Sequence, residues 1–273
     1  MADIKRSTTE NSQSFVMQTQ YQRVLVIGAS SGIAQAVIQT LLNDSQAEVI
    51  GCSRMSESDA KSQIKATNEG INNTTLQRYR HFSVRAYDTE SIAQVLAQLP
   101  KASIDLAVCC LGVLHDEALG LSPEKRIEEL NEQSLLRYFQ INTVTPSLWL
   151  QGLLPHMVKG QQSKIVLLSA RVGSITDNSL GGWYGYRASK SALNMMVKTA
   201  QVEFSRRAKL CSLVLYHPGT VDTRLSKPFQ ANVPPHKLFT PEFTARQLLH
   251  YIDDLNSEFA PFYIDWQGKT IPW

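Results

Sequence analysis

Long apolar runs are missing from this chain, and so are blocks of charge of one sign. No stretch approaches the roughly 18 consecutive apolar residues that would cross a bilayer, which argues against a membrane partner. The first residues lack the apolar segment of a secretory signal, so a cytoplasmic location is expected. Lys and Arg total 27 against 24 Asp and Glu, a net charge of +3. No basic cluster resembles a nucleic-acid arm, and nucleic acid is a poor partner. Cysteine is scarce: Cys52, Cys109, Cys110 and Cys211 lie in apolar, strand-like surroundings without a CxxC pair. They read as buried thiols in a reducing compartment, and no metal site is expected. The G-x-G-x-x-G turn of many dinucleotide-binding chains is absent too.

What is present suits a folded domain. The 273 residues are 43% apolar and 19% charged, enough for a sizeable core in one large or two small α/β units. Residues 1–20, rich in Ser, Thr and Gln, show no periodicity and are expected to form a flexible extension; Met17 is an alternative start. From Arg23 onward the pattern alternates. Strands are expected at Arg23–Ile27, Glu48–Cys52, His81–Tyr87, Ile104–Leu111, Lys164–Ser169, Ser212–His217 and Phe262–Asp265. Helices are expected at Ile33–Leu42, Ser91–Leu99, Ser134–Met157, Tyr184–Lys209 and Glu242–Asn256, with a short one at Pro123–Leu130 and only weak helical character over 55–80. Near-continuous apolar strands alternating with helices predict a single α/β domain over 21–273, a doubly wound parallel sheet with helices on both faces. Ligands of such sheets bind beyond the carboxyl ends of the strands.

The stretch VLVIGASSGIAQAV, Val24–Val37, reads as strand, glycine turn and helix. Gly28 and Gly32 allow a tight turn and close approach of backbone to a pyrophosphate, and the helix N-terminus offers free N–H groups and a positive dipole end. The spacing is G-x-x-x-G-x-A. It resembles the TGxxxGxG of the short-chain dehydrogenases/reductases, with Ile27 for the usual Thr and Ala34 for the third glycine. That resemblance implies a Rossmann-like fold with Ser30, Ser31 and Ile33 beside the two glycines at the cofactor. NAD enzymes commonly carry an acid after the second strand. Here that strand ends Gly51-Cys52-Ser53-Arg54, with no acid, so Arg54 and Ser53 are expected to meet a 2′-phosphate and the cofactor to be NADP(H). Asp88 matches the family position that bonds the adenine amino group; it also reads as a helix N-cap, with Ser91 as a rival.

WYGYRASKSAL, Trp183–Leu193, places Tyr186 and Lys190 four residues apart, on one helix face. A free phenol titrates near 10, and a neighbouring ammonium lowers that value. Tyr184 has Ala188 at the same spacing, so Tyr186 is the candidate acid/base. The pair matches the family's Tyr-x-x-x-Lys, which implies that Tyr186 donates the proton while Lys190 tunes it and holds the nicotinamide ribose. The same resemblance assigns Asn142 to a proton relay through water. It also implies a serine past the fifth strand. The usual position is Ala170, leaving Ser169, one residue early, or Ser174, past Gly173; Ser169 is preferred. Gly112 survives where Asn-Asn-Ala-Gly is replaced by Cys109-Cys110-Leu111-Gly112, and Pro218, Gly219, Val221 and Thr223 match the family's Pro-Gly segment at the cofactor.

The resemblance covers about 21–270, and Ser169–Asn194 with the terminal Asp265–Trp273 looks most like the C-factor-like carbonyl reductase branch. The proline-rich Leu225–Phe239 is expected to cover the substrate, and Trp183 and Tyr184 either line the same pocket or simply pack. The function expected is NADP(H)-dependent hydride transfer between the nicotinamide and a carbonyl or alcohol, by a homodimer or homotetramer. Two alternatives stand beside it: a nucleotide-binding sensor or signalling protein with little turnover, and a structural subunit assembled through the two long helices.

Overall fold

The computed structural model describes residues 21–68 and 70–273; the expected N-terminal extension lies outside the described residues. Seven strands form one sheet: β1 (Arg23–Ile27), β2 (Glu48–Ser53), β3 (Tyr79–Ser83), β4 (Leu106–Cys109), β5 (Ser163–Leu168), β6 (Cys211–His217) and β9 (Phe262–Asp265). Their order is β3-β2-β1-β4-β5-β6-β9, every neighbouring pair parallel. A second, two-stranded element pairs β7 (Thr220–Val221) with β8 (Leu238–Phe239).

The alternation within each strand divides the core into two layers. Val24, Val26, Leu106, Val108, Val166 and Val214 face α1 (Gly32–Asp44) and α8 (Pro241–Asp253). Their neighbours Leu25, Ile27, Ala107, Ile165 and Leu213 face α4 (Thr89–Leu96), α6 (Thr145–Leu153) and α7 (Tyr184–Arg207). Burial on both faces is why the strands carry apolar residues at nearly every position. The remaining helices are α2 (Glu57–Thr67), α3 (Asn73–Leu76) and α5 (Glu132–Phe139). No helix among the described residues is long and apolar enough to cross a membrane.

Three local expectations are corrected. The third strand starts and ends earlier than His81–Tyr87, because pairing with β2 runs only from Tyr79 to Ser83. Pro123–Leu130 holds no α-helix, only a single 3-10 turn at Ile127–Glu129. The long helix over 134–157 is three pieces: α5, a π-turn at Gln140–Val144 and α6. In the π-turn the Thr145 N–H reaches the Gln140 carbonyl, five residues back, and the Thr145 hydroxyl donates to that same oxygen at 2.9 Å. Such insertions are rare and concentrate at functional sites; this one holds the buried Asn142.

Candidate active site

The expected residues fall along the carboxyl edge of the sheet. At the end of β1, Gly28 has φ +78°, and an added Cβ would lie 3.1 Å from Leu111 Cδ2 and 3.3 Å from the Cys110 carbonyl carbon. Only glycine combines this conformation with so close an approach of two loops. Ser30 is exposed. Ser31 caps α1, its hydroxyl accepting from Ala34 N at 3.3 Å. A Cβ on Gly32 would meet Thr223 Cγ2 at 3.1 Å, so the loop after β6 reaches the start of α1. Ile33 leans on the core. The result is a glycine-lined cradle at a helix N-terminus, suited to an anion.

At the next strand the two expected phosphate partners separate. Arg54 is exposed, whereas Ser53 is fully buried. The Ser53 hydroxyl accepts from Met55 N at 3.2 Å and bonds His81 Nε2 at 3.1 Å, and His81 Nδ1 bonds the Tyr79 hydroxyl at 2.8 Å. The expected Ser53 bond to phosphate is therefore corrected: its hydroxyl is turned inward into this triad. Asp88 caps α4, accepting from Ser91 N at 2.8 Å, the N-cap reading. It also lines a cavity of about 310 Å³ with Tyr87, Leu111, Gln140, Ile141 and Thr145.

Tyr186, Lys190 and Asn142 come together at the centre of the edge. Tyr186 is 8% exposed, Lys190 2% and Asn142 0%. Asn142 accepts from Val113 N at 2.8 Å and donates to the Val113 carbonyl and the Ser189 hydroxyl, both at 3.0 Å; Ser189 in turn donates to the Tyr186 carbonyl at 2.8 Å. Lys190 Nζ donates to the Leu168 carbonyl at 2.9 Å and stands 5.9 Å from the Tyr186 ring centroid. A Cβ on Gly112 would lie 3.2 Å from Lys190 Nζ and 3.5 Å from Asn142 Oδ1. Burial lowers Lys190 to about 8, against the nearby Cys109, whose influence raises it. Burial also pushes the Tyr186 phenol up, with Tyr263 adding to the rise. Desolvation is the larger cause of that rise, and the ammonium expected to lower it is bonded to the Leu168 carbonyl.

Both candidate serines make bonds within the chain. Ser169, just past the end of β5, donates to Asn194 Oδ1 of α7 at 2.7 Å. Ser174, 1% exposed, accepts from Asp177 N at 3.1 Å and so closes the turn that follows it. Ala170, by contrast, packs in one apolar cluster with Tyr186, Tyr138, Val113, Leu114 and Leu121. Tyr138 is the residue that sequence reasoning missed. Its ring lies edge-on to Tyr186 with centroids 6.3 Å apart, and its hydroxyl donates to the Leu114 carbonyl at 2.7 Å. The available signal was its position, four residues before Asn142 in the stretch expected to form one helix.

Over this cluster lies an aromatic cover. Trp183 meets Tyr186 at 6.2 Å and Phe229 at 5.2 Å between ring centroids, and His115 meets Phe229 at 5.8 Å. Phe229 comes from the proline-rich 225–239 loop. Tyr184 is half-buried at the start of α7. After β6, Gly219 has φ +75° and packs so tightly that a Cβ would lie 2.6 Å from Phe239 Cε2. Pro218 precedes it, Val221 is buried, and Thr223 Oγ1 donates to the Val221 carbonyl at 3.4 Å.

A sequence profile of the short chain dehydrogenase family matches residues 22–234. The chain is 28% identical to the 1-hydroxy-2-glutathionyl-2-methyl-3-butene dehydrogenase of Rhodococcus sp. (strain AD45) over 250 residues, covering 92% of this chain and 99% of that one. It is 33% identical to the C-signal of Myxococcus xanthus over 145 residues, 53% of this chain and 82% of the relative. Among solved structures, the NADPH-bound carbonyl reductase from chicken fatty liver superposes with a TM-score of 0.77 at 22% identity, covering 92% and 99% of the two chains.

Proposed function

This chain belongs to the short-chain dehydrogenase family, an oxidoreductase family, and from that premise we propose that it is an NADP(H)-dependent reductase of carbonyl compounds, with Tyr186 as proton donor. The observation that carries the proposal is the convergence of Lys190 and Asn142 on the glycine backbone at Gly112, with the Tyr186 ring centroid 5.9 Å from Lys190 Nζ. The chain's own features fit a dinucleotide. Gly28 and Gly32 form a cradle that a Cβ would fill, and the N–H groups at the start of α1 favour a pyrophosphate there, beside Ser30, Ser31 and Ile33. Arg54, exposed beyond β2 where NAD enzymes carry an acid, supports a 2′-phosphate, as do the NADP-bound neighbours in the fold. Asp88 at the 310 Å³ cavity, and Pro218, Gly219, Val221 and Thr223 beyond β6, complete the candidate contacts.

When bound, the nicotinamide supplies the hydride. The chain's part is the proton. A carbonyl oxygen gaining negative charge needs a proton donor within hydrogen-bond reach. The Tyr186 hydroxyl makes no hydrogen bond among the described residues, which leaves it free to donate to substrate. A burial-raised phenol keeps its proton until a basic oxygen is presented. Lys190, held by the Leu168 carbonyl, and Asn142, held by Val113 and Ser189, support the tyrosine from the inner side. Trp183, Phe229 and His115 exclude water from above. The substrate class that suits such walls is an apolar aldehyde or ketone.

The test is NADPH oxidation with a panel of aldehydes and ketones, alongside Tyr186→Phe. Turnover by the wild type and its loss in the variant are expected; turnover surviving in Tyr186→Phe would remove the proposal. A second reading, a nucleotide-binding sensor with little turnover, is favoured by one observation, Ala170 packed at Tyr186 where the resemblance implies a serine. NADPH binding without turnover across the panel selects it. Exposed Met195, Met196 and Val202 on α7, with Leu136 on α5, support a homo-oligomer, which light scattering measures.

A further inference from the structure

The helix that carries Tyr186 begins without a cap of its own. α7 starts at Tyr184 after Trp183, which has φ 52° and makes no side-chain cap bond. Its first N–H groups are therefore orphans in the sense that every helix N-terminus has them. One is met from 61 residues away: Gly185 N donates to Glu124 Oε2 at 3.1 Å. The Glu124 carbonyl accepts from Trp183 N as well. Glu124 thus grips the chain on both sides of Tyr184, one residue before the candidate proton donor.

Glu124 has no other visible occupation. It is 3% exposed and forms no ion pair among the described residues, and its Oε1 is buried without a hydrogen-bond partner. A buried carboxyl group left half-satisfied is costly, so its placement calls for a compensating use. Gly185 shows how closely the group is fitted. A Cβ there would lie 3.0 Å from Glu124 Oε1 and 2.5 Å from Tyr138 Cδ2. The carboxyl group and the edge of the Tyr138 ring therefore flank the same point, and Tyr138 is the ring that meets Tyr186 edge-on. A helix N-terminus favours a carboxylate electrostatically, and an aromatic ring presents its positive edge to one.

We infer that Glu124, fitted against Gly185 and Tyr138, is a positioning residue that fixes the first turn of α7 and with it the place of the Tyr186 hydroxyl. The inference rests on the reading of Tyr186 as proton donor. Glu124 acts through the helix turn and through Tyr138. Misplacing a reacting group by about 1 Å costs up to about a hundredfold in rate.

The test compares Glu124→Ala with Glu124→Gln, which keeps an acceptor oxygen for Gly185 N, and with Glu124→Asp, which keeps the carboxyl group but withdraws it by one methylene. Enzyme labelled with 3-fluorotyrosine gives a fluorine resonance for Tyr186, assigned by its loss in Tyr186→Phe. In Glu124→Ala and Glu124→Asp that resonance is expected to shift or broaden; in Glu124→Gln it stays. With NADPH and 4-nitrobenzaldehyde, kcat falls by about tenfold or more in Glu124→Ala, the NADPH Kd measured by fluorescence holds, and Glu124→Gln restores kcat. Should Glu124→Ala not fold, the Asp and Gln pair carries the same comparison. An unmoved resonance in Glu124→Asp, or Glu124→Gln as damaged as Glu124→Asp, overturns the inference. Turnover persisting in Tyr186→Phe sinks the proton-donor reading instead, and the fluorine comparison still reports on the brace.

Discussion

Replacing Lys190 with methionine should produce a protein that is more stable and does no chemistry. Lys190 is 2% exposed, and burial brings it from the ordinary 10.5 to about 8. At neutral pH the fold therefore holds an ammonium that its environment disfavours, and that depression corresponds to about 3 kcal/mol. Methionine has a similar length, is unbranched and adapts to the channel the lysine leaves. The substitution orphans the Leu168 carbonyl, which now accepts from Lys190 Nζ at 2.9 Å, and that costs about 1 kcal/mol. A net gain of about 2 kcal/mol remains, or a rise of about 4–8 °C in Tm for a domain of this size. The pH dependence gives the sharper check. In the unfolded chain Lys190 keeps its proton up to about pH 10.5, in the fold only up to about 8. The unfolded chain thus binds more protons between those values, and wild-type stability rises with pH across that window. The advantage of Lys190→Met should be full below pH 8 and shrink toward pH 10.5. Urea unfolding at pH 7, 8.5 and 10 measures both. A variant less stable than wild type at pH 7, or an advantage that does not change with pH, would refute the burial argument.

Three further outcomes follow from the site. Ser169→Ala should leave kcat unchanged per folded molecule and lower stability by about 1 kcal/mol through the lost bond to Asn194, whereas Ala170→Ser should raise kcat by introducing a hydroxyl beside Tyr186; steady-state kinetics and thermal melts separate the two. Arg54→Ala should weaken NADPH binding by about tenfold and leave NADH binding nearly unchanged, and Ser53→Ala should change neither but loosen the His81 triad, as fluorescence titration and melting would report. Gly28→Ala should cost about 1–2 kcal/mol from its positive φ alone and more from the Leu111 contact, and it should lower affinity for both cofactors in the same titration.

Much of this site could be read from spacing because the spacing is imposed by regular structure. Tyr186 and Lys190 stand one helical turn apart, and Gly28 and Gly32 frame a strand–turn–helix that has few alternatives. The sheet was legible for the same reason, since strands buried on both faces leave unbroken apolar runs. What the sequence hid are effects of depth and direction. Nothing in the letters tells that Ser53 points inward, because its partner His81 lies on another strand. The bond that engages the Ser169 hydroxyl was hidden as well, because its partner Asn194 lies on a helix 25 residues further along. The fate of the Tyr186 phenol depends on the balance of burial against a neighbouring ammonium, and no pattern of residue types measures burial. The break in the long helix was hidden too: Gln140–Val144 carries no Gly, and Pro146 follows the break instead of marking it.

That break divides the labour of one continuous rod. An α-helix advances about 100° per residue, so inserting a residue turns everything downstream by that amount. Tyr138 upstream looks toward Leu114 and the tyrosine, while Trp149 downstream is sunk in the layer beneath the sheet. Deleting a single residue from 140–144 would keep the rod but swing one of these two addresses out of place, so this segment works as a fixed gearing between the wall of the candidate site and the foundation on which it stands.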